Sequence, residues 1–138
     1  MKPKISIVTL GVSDFQKSFD FYTKGLGFTP NNYKEGEAYA LFEMQGTWFS
    51  IFPIDLLSKD VGIDCVISAS QSIILEHNVE SESKVDEVVQ HGISVGGKLV
   101  KQPQKAVWGG YSGYFADPDG YLWAVAYNPF TDLTYKSL

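Results

Sequence analysis

The sequence has a single cysteine, Cys65, and no apolar run long enough to span a membrane. One cysteine excludes an internal disulfide bond, and nothing in the sequence suggests export, so a reducing compartment is expected. The apolar stretch at the N-terminus is interrupted by Gly11, Ser13 and Asp14, which is not typical of a signal peptide. These absences predict a cytoplasmic protein with no membrane partner.

Basic residues are also scarce: there are 11 Lys or Arg against 16 Asp or Glu, a formal net charge of -5. Because phosphate binding needs clustered basic side chains and these are scattered, nucleic acid is disfavoured as a partner, and a cationic small molecule fits the charge better. The composition, 44% hydrophobic, 14% aromatic and 20% charged, is that of an ordinary globular protein. A chain of 138 residues can form one buried core or two half-domains that share one.

The most informative stretch is the aromatic-rich run WGGYSGYFADPDGYLWAVAYNP near the C-terminal end. The tetrapeptide from Asp117 to Gly120 is a turn sequence, in which Pro118 favours the second position and the final glycine accepts a positive φ. The flanking segments 111–116 and 121–127 alternate large and small residues, as strands with one buried face do. The run therefore predicts a β-hairpin.

The first half of the chain begins with a predicted strand and helix. Apolar and β-branched residues from Ile5 to Val12 indicate the strand, and Ser13 with Gln16 has the spacing of a capping box. Apolar residues then recur at helical intervals and form one stripe, Phe15, Phe19, Tyr22 and Leu26. This pattern predicts a helix that packs one face on a sheet.

The first half continues with strands. A short strand is expected near Phe28, and segments 38–44 and 47–53, separated by a Gln-Gly pair, indicate a hairpin. Segment 54–72 has the weakest pattern in the chain and is predicted to be a connector.

The same order of elements recurs in the second half. Segment 72–79 indicates a strand, Ser83 with Asp86 has capping spacing, and the helix is expected to end at His91–Gly92. Segment 97–102 indicates another strand, and the hairpin supplies the last two. Two β-α-β-β-β units in succession are what an old internal duplication would leave.

These two units, the run GVSDFQKSFDFYTKGLGF from Gly11 to Phe28, and the Asp-Pro-Asp-Gly hairpin resemble the vicinal oxygen chelate superfamily. That superfamily includes glyoxalases, extradiol dioxygenases, and bleomycin- and fosfomycin-resistance proteins. The resemblance covers essentially the whole chain. It implies an α+β fold in which two β-α-β-β-β modules form a half-open barrel around a cavity, with helices on the outer faces. It divides the single domain 1–138 into a first module 1–53, a connector 54–72 and a second module 73–130. It also implies a homodimer.

The resemblance further implies four metal ligands, one on the first and last strand of each half. The matching positions in this chain are Ile7, Ser50, Ile74 and Ala124. Two aliphatic side chains, a methyl group and one hydroxyl cannot replace the hydration shell of a divalent cation. A register shift of two residues could supply one ligand, Glu76 or His77, but not three. The sequence therefore predicts that the family metal is lost and that no cofactor is bound.

What remains is a cavity lined by inward-facing side chains, because residues alternate between the two faces of a strand. The predicted ligand-binding residues are Trp48, Ser50, Phe52, Glu76, Asn78 and Ala124, with Trp108 and Tyr111 at the mouth. The last strand also offers Ala126 and Asn128. His77 is expected on the opposite face, buried and hydrogen-bonded under a helix.

Each of these residues also has a purely structural interpretation. The tryptophans could be core or dimer-contact residues, and Glu76 could be a surface charge or pair with Lys101. Two functions stay open for the cavity. The leading hypothesis is a protein that binds a small, partly aromatic or cationic molecule without a metal. The alternative is a lyase, isomerase or dioxygenase that uses a metal at shifted positions or acid-base chemistry by Glu76 or His77, with catalytic residues unknown.

Overall fold

The computed structural model describes residues 1–67 and 72–134. It divides into two compact units, Met1–Ala69 and Ser70–Leu138. Within the described residues the first unit carries a three-stranded sheet, the second carries a four-stranded sheet, and three α-helices accompany them. The α+β class predicted from the sequence is therefore confirmed. The boundary between the units falls inside the predicted connector 54–72, of which residues 68–71 lie outside the described part.

The first unit begins with a strand and a helix and then forms a hairpin, in the predicted order. Its elements are β1 (Ile7–Val12), α1 (Phe15–Asp20), which continues as a π-helical turn (Phe21–Gly25), β2 (Ala40–Phe42), β3 (Trp48–Pro53) and α2 (Ile54–Val61). The central strand β3 pairs in parallel with β1 and antiparallel with β2. Instead of a strand near Phe28, the described backbone has one isolated bridge between Pro30 and Phe42. Proline lacks the N–H that would extend a ladder at this point.

Helix α1 begins one residue later than the capping pattern predicted. Its N-cap is Asp14 and not Ser13, and the Asp14 carboxylate accepts a hydrogen bond of 3.1 Å from the backbone N–H of Lys17. Both residues are good N-caps, so sequence alone could not choose between them.

Helix α2 lies in the segment that the sequence predicted to be a connector. No side chain caps its start, because Pro53 occupies the N-cap position, so the usual start signal is missing. Its approach to β1 depends on Gly11, since a Cβ there would come within 2.4 Å of the Ile54 side chain. Gly62 ends the helix at a φ of 86°.

An aromatic cluster fills the core of the first unit. Tyr22 is fully buried and its ring meets that of Phe49 edge-on, with the centroids 4.8 Å apart. Phe28 and Phe42 complete the cluster, with their centroids 6.0 Å apart. This packing fixes the face of β3 that carries Phe49 and Ile51. The opposite face of β3 therefore carries the predicted site residues of this unit, Trp48, Ser50 and Phe52.

The second unit shares the strand pairing of the first and has one more strand. Its elements are β4 (Ile74–Asn78), α3 (Glu82–Ser94), β5 (Lys98–Lys105), β6 (Tyr111–Ala116) and β7 (Leu122–Tyr127). The sheet order is β4-β7-β6-β5, in which β4 and β7 are parallel and the other pairs are antiparallel. In both units the first strand thus pairs in parallel with the last.

Helix α3 is longer than the sequence indicated at both ends. Its N-cap is Ser81, whose hydroxyl accepts from the N–H of Lys84, and it continues to Ser94. Gly92, which the sequence predicted to end the helix, instead allows close packing. A Cβ at Gly92 would lie 3.0 to 3.1 Å from the ring of Phe115, so the glycine lets the helix approach the sheet closely.

Helix α3 covers one face of the second sheet. Val85 and Val89 of the helix are buried, as are Phe115, Trp123 and Val125 of the strands. The rings of Phe115 and Trp123 stack with centroids 6.4 Å apart. Side chains at alternate positions on these strands must therefore lie on the face away from the helix.

The turn between β6 and β7 forms as the Asp-Pro-Asp-Gly sequence predicted. The Asp117 carboxylate is buried and its Oδ1 atom accepts hydrogen bonds of 2.9 Å from the backbone N–H groups of Asp119 and Tyr121. Gly120 has a φ of 91° and donates its N–H to the Asp117 carbonyl. One side chain thus satisfies two backbone donors and fixes the pairing of the last two strands.

Replacing Asp117 with alanine should destabilise the protein by about 2 to 4 kcal/mol, because two N–H groups lose a charged acceptor at a buried turn. Urea unfolding followed by circular dichroism measures the loss. Asp64→Ala is a matched control, since Asp64 is exposed and has no hydrogen-bond partner among the described residues, and should change stability by less than about 0.5 kcal/mol. Equal losses in the two variants would show that the backbone alone holds the turn.

Candidate functional site

The face of the second sheet away from α3 carries two parallel rows of side chains. In the first row, Ala124 of β7 lies between Glu76 of β4 and Tyr114 of β6. In the second row, Ala126 lies between Asn78 and Ser112. The methyl groups of β7 are short and the flanking side chains are longer, so this face of the sheet has a depression along β7.

A pocket of about 180 Å³ occupies this low region. The described residues that line it are Glu76, Trp108, Ser112, Tyr114, Ala124, Ala126 and Asn128. The two alanines form its floor, Glu76 stands on the β4 side, and Ser112 and Tyr114 stand on the β6 side. Glu76 is the one charged side chain in this lining.

Asn78 holds the Glu76 carboxylate. Its amide nitrogen donates to Oε1 of Glu76 at 3.1 Å, two residues back on the same strand. The amide oxygen of Asn78 is buried and has no hydrogen-bond partner among the described residues. An unpaired buried acceptor is unfavourable for stability.

Trp108 reaches the pocket from the loop between β5 and β6. The loop is closed by backbone hydrogen bonds between Ala106 and Gly110 and between Gly109 and Ala106. The Trp108 ring lies so close to Gly110 that a Cβ there would be 1.9 Å from a ring atom. Trp108 keeps 47% of its surface exposed and is therefore accessible to a ligand.

Three predicted site residues, Glu76, Trp108 and Ala124, thus meet in one pocket, and Asn78 supports it from the next position on β4. Tyr111 lies on the other face of the sheet. Its hydroxyl donates to the Asp86 carboxylate of α3 at 2.7 Å, and this hydrogen bond raises the pKa of Tyr111. The predicted place of Tyr111 at the pocket mouth is therefore wrong.

Sequence reasoning missed Ser112 and Tyr114, which line the pocket from β6. The alternation of side chains between the two faces of a strand could have identified them. Tyr111 and Tyr114 are three residues apart, so they must point to opposite faces, and only one can share the face of Ala124. Asn128, which the sequence offered on the last strand, does line the pocket.

The predicted site residues of the first unit share one face of β3. The Ser50 hydroxyl is buried and forms a hydrogen bond of 2.6 Å with the Thr9 hydroxyl. The Phe52 ring contacts that of Tyr39 edge-on at 5.6 Å, and Trp48 is half-buried. The first unit also has an open depression of about 430 Å³, lined by Thr29, Pro30, Asn31, Glu43, Met44 and Gln45. It is wider than the pocket of the second unit and has no aromatic side chain in its lining, so it is the weaker candidate despite its volume.

The four family metal positions do not fit a divalent cation. Ile7 and Ile74 have no donor atom, Ala124 has only a methyl group, and the Ser50 hydroxyl is already bonded to Thr9. In the part of the chain that the structure describes, no three His, Cys, Asp or Glu side chains lie close enough together to hold a metal ion. Divalent cations need several such donors.

His77 lies on the face of β4 opposite to Glu76, as predicted, but it is exposed and not buried. The reason is that β4 is an edge strand, whereas α3 packs on the other three strands of the sheet. Desolvation by the groups around it lowers the pKa of His77, and the nearby Glu80 carboxylate opposes part of this shift. Because consecutive strand residues point apart, Glu76 and His77 cannot act on the same bound molecule.

Comparison with known proteins supports one family. The chain matches the model of the Glyoxalase/Bleomycin resistance protein/Dioxygenase superfamily over residues 4–125. A glyoxalase-related enzyme from Fulvimarina pelagi is 30% identical with a TM-score of 0.82, covering 92% of this chain and 89% of that chain. A glyoxalase/bleomycin resistance protein/dioxygenase from Nocardioides is 19% identical with a TM-score of 0.79, covering 99% and 91%. A lactoylglutathione lyase from Agrobacterium tumefaciens is 17% identical with a TM-score of 0.71, covering 97% and 100%. No curated protein matches the chain.

The chain therefore belongs to the glyoxalase/bleomycin resistance protein/dioxygenase superfamily, as the motifs in its sequence implied. The two neighbours of lower identity show the fold alone. Among the described residues, no helix is long and apolar enough to cross a membrane.

The lowered pKa of His77 makes stability depend on pH in one direction. The unfolded chain binds the proton more readily than the folded one, so stability is full above the ordinary histidine pKa of about 6.5 and decreases as the pH falls through the folded value. Urea unfolding at neutral and mildly acidic pH should show a smaller decrease for His77→Gln than for the parent. Glu80→Gln should have the opposite effect, because it removes the charge that raises the His77 pKa. An unchanged pH dependence in both variants would contradict this assignment.

Proposed function

We propose that this protein binds a small cationic aromatic molecule in the pocket of its second unit, without the family metal. The observation that carries the proposal is the lining itself: one carboxylate, Glu76, and two aromatic side chains, Trp108 and Tyr114, surround a floor of alanines. An aromatic ring can stack on such side chains while its positive group meets the carboxylate.

The electrostatics of the pocket favour a cation over an anion. Glu76 is the charged side chain of the lining, and the chain as a whole carries -5. An ion pair at a partly enclosed site is screened less by salt than one on the open surface. A negatively charged ligand would face Glu76 with no cation among the lining residues to balance it.

The size of the pocket limits what can enter. A drug-sized molecule occupies a cavity of roughly 300 Å³ or more, and this pocket has about 180 Å³. The group that enters is therefore about the size of one substituted ring. The alanines at positions 124 and 126 provide this space, since larger side chains there would fill it.

The alternative hypothesis, that the protein is an enzyme, has less support than the binding hypothesis. The enzymes of the resembled superfamily mostly rest on a chelated metal, and the donors for one do not fit here. The predicted acid-base chemistry rested on Glu76 or His77, and because these two side chains lie on opposite faces of the sheet, they cannot act together on one ligand. Glu76 alone, held by Asn78, is suited to attract a positive charge.

Calorimetric titration with benzylamine tests the proposal. Glu76→Gln should weaken binding at least about tenfold, because the amide keeps the shape but loses the charge. Trp108→Ala should weaken it about fivefold to thirtyfold through loss of the aromatic face. Prior treatment with EDTA should leave the affinity unchanged.

Glu80→Gln is the matched control for the carboxylate, since Glu80 is an exposed residue just beyond the same strand and lines no part of the pocket. It should bind benzylamine like the parent. The proposal fails if benzylamine does not bind, if Glu76→Gln binds as tightly as the parent, or if EDTA abolishes binding.

The homodimer expected from the resemblance is proposed on one further ground. The large apolar side chains that the described part of the second unit exposes include Val107, Phe130 and Leu133, which a partner would remove from water. Light scattering at micromolar concentration should give about twice the chain mass of 15.3 kDa. A single-chain mass would contradict the dimer and leave the pocket proposal standing.

A further inference from the structure

The β6 side of the pocket carries hydrogen-bonding groups that the binding of a cation does not use. Neither the Ser112 hydroxyl nor the Tyr114 hydroxyl has a hydrogen-bond partner within residues 1–67 and 72–134. Asn128 follows β7 and is different, because its amide oxygen already accepts the N–H groups of Phe130 and Thr131 at 2.9 and 3.0 Å. What Asn128 can still offer a ligand is therefore its amide N–H, a donor.

The two β6 residues, Ser112 and Tyr114, lie across the alanine floor from β4, the strand that carries the carboxylate. In the strand register, Glu76 and Tyr114 are both direct neighbours of Ala124, one on each side. Adjacent strands are about 4.8 Å apart, so the two backbones are separated by roughly twice that distance. The pocket thus has a carboxylate on the β4 side and two neutral hydroxyl groups on the β6 side that can donate hydrogen bonds to a ligand, with a ring-sized gap between them.

The charge of the groups on the β6 side determines which group of a ligand can bind there. These groups are uncharged, and no Lys or Arg belongs to the pocket lining. The nearest cation in the register is Lys101 of β5, which pairs with Tyr114 but is exposed and outside the lining. A carboxylate on the ligand would lie opposite Glu76 without compensation, whereas a neutral acceptor would gain the hydrogen bonds at no electrostatic cost.

Resting on the proposed function, we propose that the pocket recognises an aromatic amine that carries an uncharged hydrogen-bond acceptor at the far end of its ring. The protonated amine meets Glu76, and the ring lies over Ala124 and Ala126 beside Trp108. The acceptor, an amide carbonyl or a hydroxyl oxygen, receives hydrogen bonds from Tyr114 and Ser112. This second subsite selects among the cations that the carboxylate attracts.

Four probes separate the subsites in calorimetric titrations of the full chain. They are benzylamine, its para-carboxamide, its para-carboxylate, and para-methylbenzamide, which lacks the amine. The carboxamide should bind about threefold to tenfold more tightly than benzylamine, the gain expected from one or two neutral hydrogen bonds. The carboxylate should bind no more tightly than benzylamine, and para-methylbenzamide should bind most weakly.

Variants then assign the gain to named groups. Tyr114→Phe with Ser112→Ala should remove the difference in affinity between the carboxamide and benzylamine when both are measured on this double variant, because the ring at position 114 stays and only the two hydroxyl groups are lost. Tyr127→Phe is the matched control, because Tyr127 lies on the same face of β7 as Trp123 and Val125, which is the face that α3 covers. It should keep the full gain. Thermal unfolding of each variant checks that the fold is intact.

The outcomes for this subsite and for the proposed function are distinct. The subsite is overturned if benzylamine binds but the carboxamide gains nothing, if the gain survives the double variant, or if the carboxylate binds more tightly than the carboxamide. The proposed function is overturned if para-methylbenzamide binds as tightly as the carboxamide. Failure of all four probes overturns both.

Discussion

The second unit depends on the register that Asp117 sets between β6 and β7. By accepting two backbone N–H groups of the turn, its carboxylate fixes which residues of the two strands lie opposite each other. Trp123 and Val125 then point to α3, and Ala124 and Ala126 point away from it. A slip of one residue would exchange these sets and put alanines under the helix and an indole in the pocket. The packing under α3 and the lining of the pocket therefore both depend on this register.

The sequence predicted those parts of the fold that depend on short-range rules. Turn chemistry located the Asp117 hairpin, and alternation placed Glu76 and Ala124 on one face. Helix α2 escaped prediction because Pro53 supplies no capping group, and its position depends on Gly11, which is distant in sequence. Gly92 was misinterpreted as a stop signal for the same reason, since its role is a contact with a strand that follows much later.

The candidate site was predictable on β4 and β7 but not on β6. On β4 and β7 the family motifs identify one residue at a known position. The alternation of side chains along a strand then assigns each neighbouring residue to one face of the sheet. On β6 the wrong tyrosine was chosen, because Tyr111 and Tyr114 are chemically alike and the glycine between them hides the alternation. The exposure of His77 could not be foreseen either, since it depends on which strands α3 covers, a tertiary property.

The alanine floor has a consequence for how this chain can diverge. The groups that stabilise the second unit lie under α3, whereas the groups that would touch a ligand lie on the other face of the same strands. Substitutions at the even-numbered positions of β7 can therefore change the depth, charge or metal affinity of the pocket while the packed layer stays as it is. The chemistry of the pocket can therefore change by one strand position at a time without any change in the core.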